Sequence, residues 1–159
     1  MEPKIFFAGM ALDGVSGHEA GRMLLAQLYR THVGTPMPPI CTAPGGKPYF
    51  SQGDWHFSIT HTPRHAFCVL SDRPVGLDAE EADRQIDLRL ATRILSEGEL
   101  AQFQTSADPR HTLLTFWVLK EALGKLTGEG IKWHPTHTDF LLPDARVSEI
   151  DGCLVAIIT

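Results

Sequence analysis

Residues 116–125 have the periodicity of a helix with one apolar side. At about 100° per residue, one arc of this helix carries Phe116, Leu119, Leu123 and Leu126. The opposite arc carries Trp117, Lys120, Glu121, Gly124 and Lys125. Because a globular chain must bury the apolar arc, the pattern predicts a core-facing helix with a polar face. On that face Glu121 lies beside Lys120 and one turn from Lys125.

The polar face of this helix has two interpretations. Trp117 could belong to the core, with the lysines and Glu121 forming solvated pairs within the helix. Alternatively, the face could contact a sizeable polar ligand, because an acidic group set between two lysines suits a functional site. The periodicity alone leaves both open.

Two carboxylates follow one another on a predicted strand at residues 75–80. Asp78 and Glu80 are two residues apart, so they project from the same face of the strand. Such a pair repels unless a cation lies between the carboxylates, and hard oxygen ligands suit Mg²⁺. The alternative is an exposed strand end that runs into an acidic turn at residues 81–83. We expect Gly76 to let a ligand approach the backbone.

Two turns in the first half of the chain carry polar side chains. The turn at residues 44–48 offers free backbone N–H groups and Lys47 to a phosphate, although a turn of this composition often has no function. A predicted hairpin, with strands at 56–60 and 66–70, places Thr60 and His61 at its mouth. His56, His61 and His65 do not follow a usual zinc spacing, so surface hydrogen bonding is expected of them.

The remaining elements follow from periodicity and capping signals. A strand is predicted at 4–8 and a helix at 17–33. Helices are predicted to start after Asp87, after Ser96 with Glu99 in a capping box, and after Asp108, and the last of these should end near Gly128. Three further strands are predicted at 138–142, 146–150 and 154–158.

Composition narrows the class of protein. The 159 residues are 43% hydrophobic, which suits one domain or two small fused halves. A net charge of -5 disfavours a general nucleic-acid binder. The three cysteines lie far apart in sequence, so we expect reduced, buried thiols and a cytoplasmic location. No export signal or membrane anchor is recognised.

Taken in order, these motifs resemble the 4′-phosphopantetheinyl transferase superfamily, specifically its fused, pseudo-dimeric branch, similar to the enzyme that activates surfactin synthetase. The matching segments are 46–50, 57–62, 75–80 and 117–125, with a fainter match at 128–131. Segments 75–80 and 117–125, which lie some forty residues apart, are the most specific for this family. The family usually has Ser-His-Ser where this chain has Thr60, His61 and Thr62.

The resemblance implies an α+β fold of two similar subdomains related by a pseudo-two-fold axis, here one unit with halves at 1–74 and 75–159. It implies transfer of 4′-phosphopantetheine from coenzyme A to a serine of an apo acyl, polyketide or peptidyl carrier protein. Mg²⁺ would be held by Asp78, Glu80 and Glu121. The catalytic residues would be Glu121 and Lys125, and the implied contacts to coenzyme A are Lys47, Pro48, Thr60, His61, Asp78, Lys120 and Lys125.

Two departures from the family pattern affect the expected site. Fused members usually have a longer N-terminal half with basic residues before the first helix, whereas here Arg22 and Arg30 lie inside that helix. Threonine for serine at positions 60 and 62 keeps the hydroxyl and adds a methyl group. The alternatives are a Mg²⁺-dependent nucleotide phosphohydrolase and a non-catalytic module that binds coenzyme A or carrier proteins.

Overall fold

A computed structural model describes residues 1–129 and 135–159, which form a mixed α+β structure and confirm that part of the expected fold class. The strands are β1 Ile5–Ala11, β2 Ile40–Thr42, β3 Pro48–Phe50, β4 His56–His61, β5 His65–Ser71, β6 Gly76–Glu81, β7 Val147–Ile150 and β8 Cys153–Ile158. The α-helices are α1 Gly17–His32, α2 Ala91–Ile94, α3 Glu97–Gln104 and α4 Pro109–Thr127. Short 3₁₀ helices cover Leu88–Leu90 and Pro135–His137.

The first part of the chain packs α1 against an antiparallel sheet of order β1-β5-β4. Ser16 caps the helix by accepting a hydrogen bond from the Glu19 backbone N–H. One face of α1, including Leu24 and Leu28, is buried against the sheet. A separate two-stranded sheet, β2-β3, carries the turn that contains Lys47.

The second part packs α4 against an antiparallel sheet of order β6-β8-β7. Asp108 accepts a hydrogen bond from the His111 N–H at the helix start, and Pro109 occupies the first turn. Gly128 ends the helix with a φ of 80°, a left-handed conformation that glycine adopts without strain. These boundaries confirm the predicted central helix.

The two three-stranded sheets share a hydrophobic cluster. Phe67 and Val69 of β5 pack with buried residues that include Leu77 of β6 and Val155 of β8. Beside this cluster, the Leu77 N–H donates a hydrogen bond of 3.1 Å to Ser58 Oγ of β4. The strand ends that carry the candidate site are therefore fixed relative to one another.

Three local features differ from the sequence prediction. Residues 138–142 are not a strand, because the Phe140 N–H donates to Glu99 and the Leu142 N–H donates to Gln102 instead of to a neighbouring strand. The β2-β3 pair was not predicted, because proline-rich sequence lacks the residue pattern of a strand. The helix expected after Asp87 is a 3₁₀ turn followed by the short α2. No helix within the described ranges combines the length and apolar character needed to cross a membrane.

Candidate active site

A cleft of 230 Å³ opens where the β2-β3 turn, β4 and the end of α4 meet. Its walls include Lys47, Pro48, Ile59 and Lys125. A neighbouring cavity of 290 Å³ shares Gly46, Pro48 and Ile59 with the cleft and extends to α1. Together they form a continuous surface that draws on both parts of the chain.

Asp78 lies next to this cleft, in contact with Lys125 of its wall, and its pKa is strongly shifted. Its carboxylate is buried, and Oδ1 accepts hydrogen bonds of 3.3 Å from Thr60 Oγ1 and 3.3 Å from Lys125 Nζ. Burial raises the pKa of Asp78 to about 7; Lys125 opposes this rise, whereas Glu121 and Glu80 add to it. Within the described parts of the chain, Oδ2 has no hydrogen-bond partner.

Glu121 and Glu80 supply the other two predicted carboxylates. Burial raises the pKa of half-buried Glu121, while Lys125 opposes that effect. Glu80 forms an ion pair with Arg84, 2.6 Å between Oε1 and Nη1. The ligand atoms of Asp78, Glu80 and Glu121 do not all lie within 4.8 Å of one another. Like charges explain this separation, because each carboxylate that turns toward a basic group escapes its acidic neighbours.

The chemistry of this acidic set suits a divalent cation, and the three carboxylates would have to move closer together to bind one ion. A buried oxygen without a partner, Asp78 Oδ2, is costly unless something binds it. Burial raises the pKa values of Asp78 and Glu121, and a bound cation would favour their ionised forms. All candidate ligand atoms are carboxylate oxygens, the donors that Mg²⁺ prefers.

Lys125 joins the two predicted motifs. It lies one helical turn after Glu121 on α4, and its Nζ is 3.3 Å from Asp78 Oδ1 on β6 and 3.5 Å from the Ile59 carbonyl on β4. The side chain is one-third exposed, so the ammonium group can also meet a ligand. The structure thus brings Thr60, Asp78, Glu121 and Lys125 to one place.

Lys47 reaches across the cleft from the β2-β3 turn. Its Nζ donates to the Val75 carbonyl at 3.4 Å and to the Leu126 carbonyl at 3.2 Å. Partial burial lowers the pKa of Lys47. Gly45 permits this close approach, since a Cβ there would lie 2.5 Å from the Gly128 carbonyl oxygen.

His61 extends this surface toward α1. It is exposed, and its ring lies so close to Gly17 that a Cβ on that glycine would be 2.3 Å from it. The cavity beside it is also lined by His18, Arg22 and Thr42. Sequence reasoning did not single out His18 or Thr42 and left the role of Arg22 in doubt. The spacing of His18 and Arg22, one turn apart on α1, was the available signal.

Lys120 does not lie on the cleft, contrary to its predicted place on the polar face. Its side chain is fully buried, and Nζ donates to Glu99 Oε1 at 2.6 Å and to Thr138. The helix is covered on this side by α3 and by the segment around Thr138, which periodicity could not indicate. Because its side chain is fully buried, Lys120 does not contact a ligand in the cleft.

Gly76 has a different role from the expected one. A Cβ at this position would lie 1.9 Å from the Ala122 carbonyl oxygen and 2.6 Å from the Leu126 nitrogen. The glycine therefore allows β6 to pack directly on the backbone of α4. This contact brings Asp78 close to Lys125. The fainter motif at 128–131 is described only to Glu129; Gly130 and Ile131 lie outside the described residues.

Comparison with known proteins places the chain in a family. A sequence model of the 4′-phosphopantetheinyl transferase superfamily matches residues 74–153, half of the chain. The chain belongs to this superfamily, which confirms the resemblance recognised in its motifs.

Curated relatives carry the same family name. The "4′-phosphopantetheinyl transferase psf-1" of Bacillus pumilus is 34% identical over 125 residues, covering 72% of this chain and 53% of that protein. The "4′-phosphopantetheinyl transferase gsp" of Aneurinibacillus migulanus is 34% identical over 88 residues, 54% of this chain and 36% of its own. A "4′-phosphopantetheinyl transferase" of Bacillus subtilis is 30% identical over 89 residues, 54% and 39% respectively. The chain therefore spans about half or less of the length of these relatives.

Proposed function

We propose that this protein transfers the 4′-phosphopantetheine group of coenzyme A to a serine of an apo carrier protein. The observation that carries the proposal is the meeting of Asp78, Glu121 and Lys125, with a buried carboxylate oxygen left without a partner. Family membership supports the same reaction class. The serine oxygen attacks the β-phosphate of coenzyme A, and 3′,5′-ADP leaves.

Each residue receives a role that its position supports. Asp78, Glu80 and Glu121 would hold Mg²⁺, which when bound would neutralise pyrophosphate charge. Glu121, half-buried with a raised pKa, accepts the proton of the attacking serine directly or through water. Lys125 donates hydrogen bonds to phosphate oxygens.

The nucleotide end of coenzyme A is assigned to the β2-β3 turn and the cavity beside it. Lys47, Pro48, Thr60 and His61 keep the roles expected from the resemblance. Arg22 joins them because it lines the cavity that adjoins Lys47 and His61. The Arg22 guanidinium suits the 3′-phosphate. Its position within the helix is therefore compatible with binding of the nucleotide.

The fold supports a pseudo-two-fold arrangement of halves at 1–74 and 75–159. In each half a first strand is followed by a helix and then by a hairpin, and the last strand lies between the other two. The sheet orders β1-β5-β4 and β6-β8-β7 are thus equivalent, with α1 and α4 as matching helices. Coenzyme A would lie between these halves. A cytoplasmic location fits the use of coenzyme A and the three free cysteines.

The decisive experiment measures product and by-product together. The protein is incubated with coenzyme A, Mg²⁺ and apo carrier proteins from fatty-acid, polyketide and peptide synthesis, with intact mass and 3′,5′-ADP as readouts. The parent should add one phosphopantetheine arm to a carrier serine. Glu121→Gln should slow transfer about a hundredfold or more, since it removes a general base and a metal-ligand charge. Lys125→Ala should be slow through lost phosphate stabilisation.

The control is Glu97→Gln, an exposed acid in the first turn of α3 that should leave transfer unchanged. Release of 3′,5′-ADP at the same rate without carrier protein would identify a phosphohydrolase instead. Binding of coenzyme A without release of 3′,5′-ADP, with every carrier tested, would favour the binding-module alternative.

A further inference from the structure

A second cluster of metal-ligand side chains lies at the ends of three strands. His65 begins β5, Glu81 ends β6 and Cys153 begins β8. In the described ranges these form the one set of three His, Cys, Asp or Glu side chains whose ligand atoms all lie within 4.8 Å of one another. They are separated in sequence by 16 and 72 positions, so no short sequence motif indicates this cluster.

The distances within this cluster are near those of tetrahedral coordination, with a different Glu81 oxygen nearest each partner. His65 Nδ1 is 3.0 Å from Glu81 Oε1 and 3.5 Å from Cys153 Sγ, and Sγ is 3.4 Å from Glu81 Oε2. Zinc bonds to nitrogen, oxygen and sulfur at tetrahedral angles separate neighbouring ligand atoms by roughly 3.4–3.6 Å. The three side chains need only small movements to close on one ion.

Besides His65 and Cys153, two side chains bond Glu81, and one of them can give way to an ion. Thr62 Oγ1 donates to Oε1 at 2.6 Å, and Arg64 Nη2 donates to Oε2 at 3.2 Å. Arg64 is mostly exposed and also pairs with Asp83, so its guanidinium can leave Glu81 without losing every anionic partner. A cavity of 390 Å³, lined by Arg64, His65 and Glu81, gives access from solvent.

We propose that His65, Glu81 and Cys153 form a zinc site that joins the two halves of the chain. One nitrogen, one oxygen and one sulfur ligand favour Zn²⁺ over Mg²⁺, which prefers oxygen alone. On binding, the Cys153 thiol releases its proton to solvent and the thiolate coordinates the ion, while water takes the fourth position. His65 comes from the first half and the other two ligands from the second, so the ion stabilises their junction.

Cobalt titration of the full-length protein tests the thiolate ligand directly. Excess Mg²⁺ is present throughout to fill any site made of carboxylates. The parent should develop a thiolate-to-cobalt charge-transfer band that Zn²⁺ abolishes, and Zn²⁺ should raise its melting temperature. Cys153→Ser should lose the band, and both Cys153→Ser and His65→Ala should weaken zinc affinity at least ~100-fold. Cys41→Ser, which removes a thiol outside the cluster, should keep both band and affinity.

A parent protein without the charge-transfer band would overturn the site. So would a band that survives Cys153→Ser, or zinc affinity that is unchanged in His65→Ala. In that case the cluster is an ordinary hydrogen-bond network around Glu81. The His65→Ala variant keeps the test valid if Cys153→Ser folds poorly, because His65 is partly exposed.

Discussion

The Asp78 carboxyl is buried beside two other acids, Glu80 and Glu121, with Lys125 as its nearby cation. Its pKa of about 7 lies above the ordinary value of 3.8, so the folded protein keeps a proton on Asp78 that the unfolded chain has lost. Stability from this group is therefore full below pH 4 and declines as pH rises toward 7. In the absence of Mg²⁺, the loss should be at most about 1.4 kcal/mol per pH unit in this window.

Asp78→Asn should remove this pH dependence. The amide keeps the shape and can still accept hydrogen bonds from Thr60 and Lys125, but it does not titrate. Urea unfolding of the metal-free proteins at pH 5 and pH 8 should show that the parent loses more stability than the variant. Because only the difference between the two proteins is used, titrating groups that do not interact with Asp78 cancel. Equal losses in both proteins would show that Asp78 is already ionised at pH 5.

Residues close in sequence were the ones whose relative positions could be predicted. Asp78 with Glu80, and Glu121 with Lys125, lie within one strand or one helical turn, so spacing alone fixed their faces. The cluster of His65, Glu81 and Cys153 depends on how β5, β6 and β8 meet, which local patterns do not contain. The expectation of buried cysteines is confirmed for Cys68 and Cys153, while Cys41 is only partly buried.

At the scale of elements, periodicity gave the length of α4 but not its surroundings. Its caps at Asp108 and Gly128 are local, and both were predicted. The burial of Lys120 was not, because α3 and the segment 138–142 cover that side of the helix. Glu99 shows that a local motif does not reveal long-range contacts. It forms the predicted capping box with Ser96, and it is also the buried partner of Lys120.

Lys120→Met tests whether this buried pair is structural. Removing the ammonium group leaves the buried Glu99 carboxylate without its cation, which should cost about 3–5 kcal/mol of unfolding free energy. The double variant Lys120→Met with Glu99→Met should recover much of that loss, since a well-packed apolar pair needs no charge partner. Denaturant unfolding measures both effects.

Lys125→Met is the matched control, because this lysine is partly exposed at the cleft. At pH 5, where Asp78 holds its proton, Lys125→Met should leave stability nearly unchanged, and it should slow transfer. If the Lys120→Met protein has normal stability but a raised KM for coenzyme A, Lys120 contacts coenzyme A and its structural role is contradicted.

For the whole molecule, the cleft and the core both join the first and second parts of the chain. The cluster around Phe67 and Leu77 is built from both sheets, and Lys47 bonds to carbonyls of Val75 and Leu126. A ligand that fills the cleft should therefore stabilise both halves together. Unfolding should be a single cooperative transition whose midpoint rises with coenzyme A in the presence of Mg²⁺.

At a hundredfold excess over Kd, coenzyme A should add about 2.7 kcal/mol, a rise of roughly 5–10 °C in Tm. Coenzyme A without its 3′-phosphate should give a smaller shift, because Arg22 and His61 would lose an anionic partner. Lys47→Ala should reduce the shift, whereas Lys4→Ala, at an exposed position before β1, should not. Scanning calorimetry measures all four cases. If the protein unfolds in two transitions and coenzyme A raises the midpoint of only one, the ligand binds a single half. If coenzyme A without its 3′-phosphate gives an equal shift, the 3′-phosphate pocket is removed from the proposal.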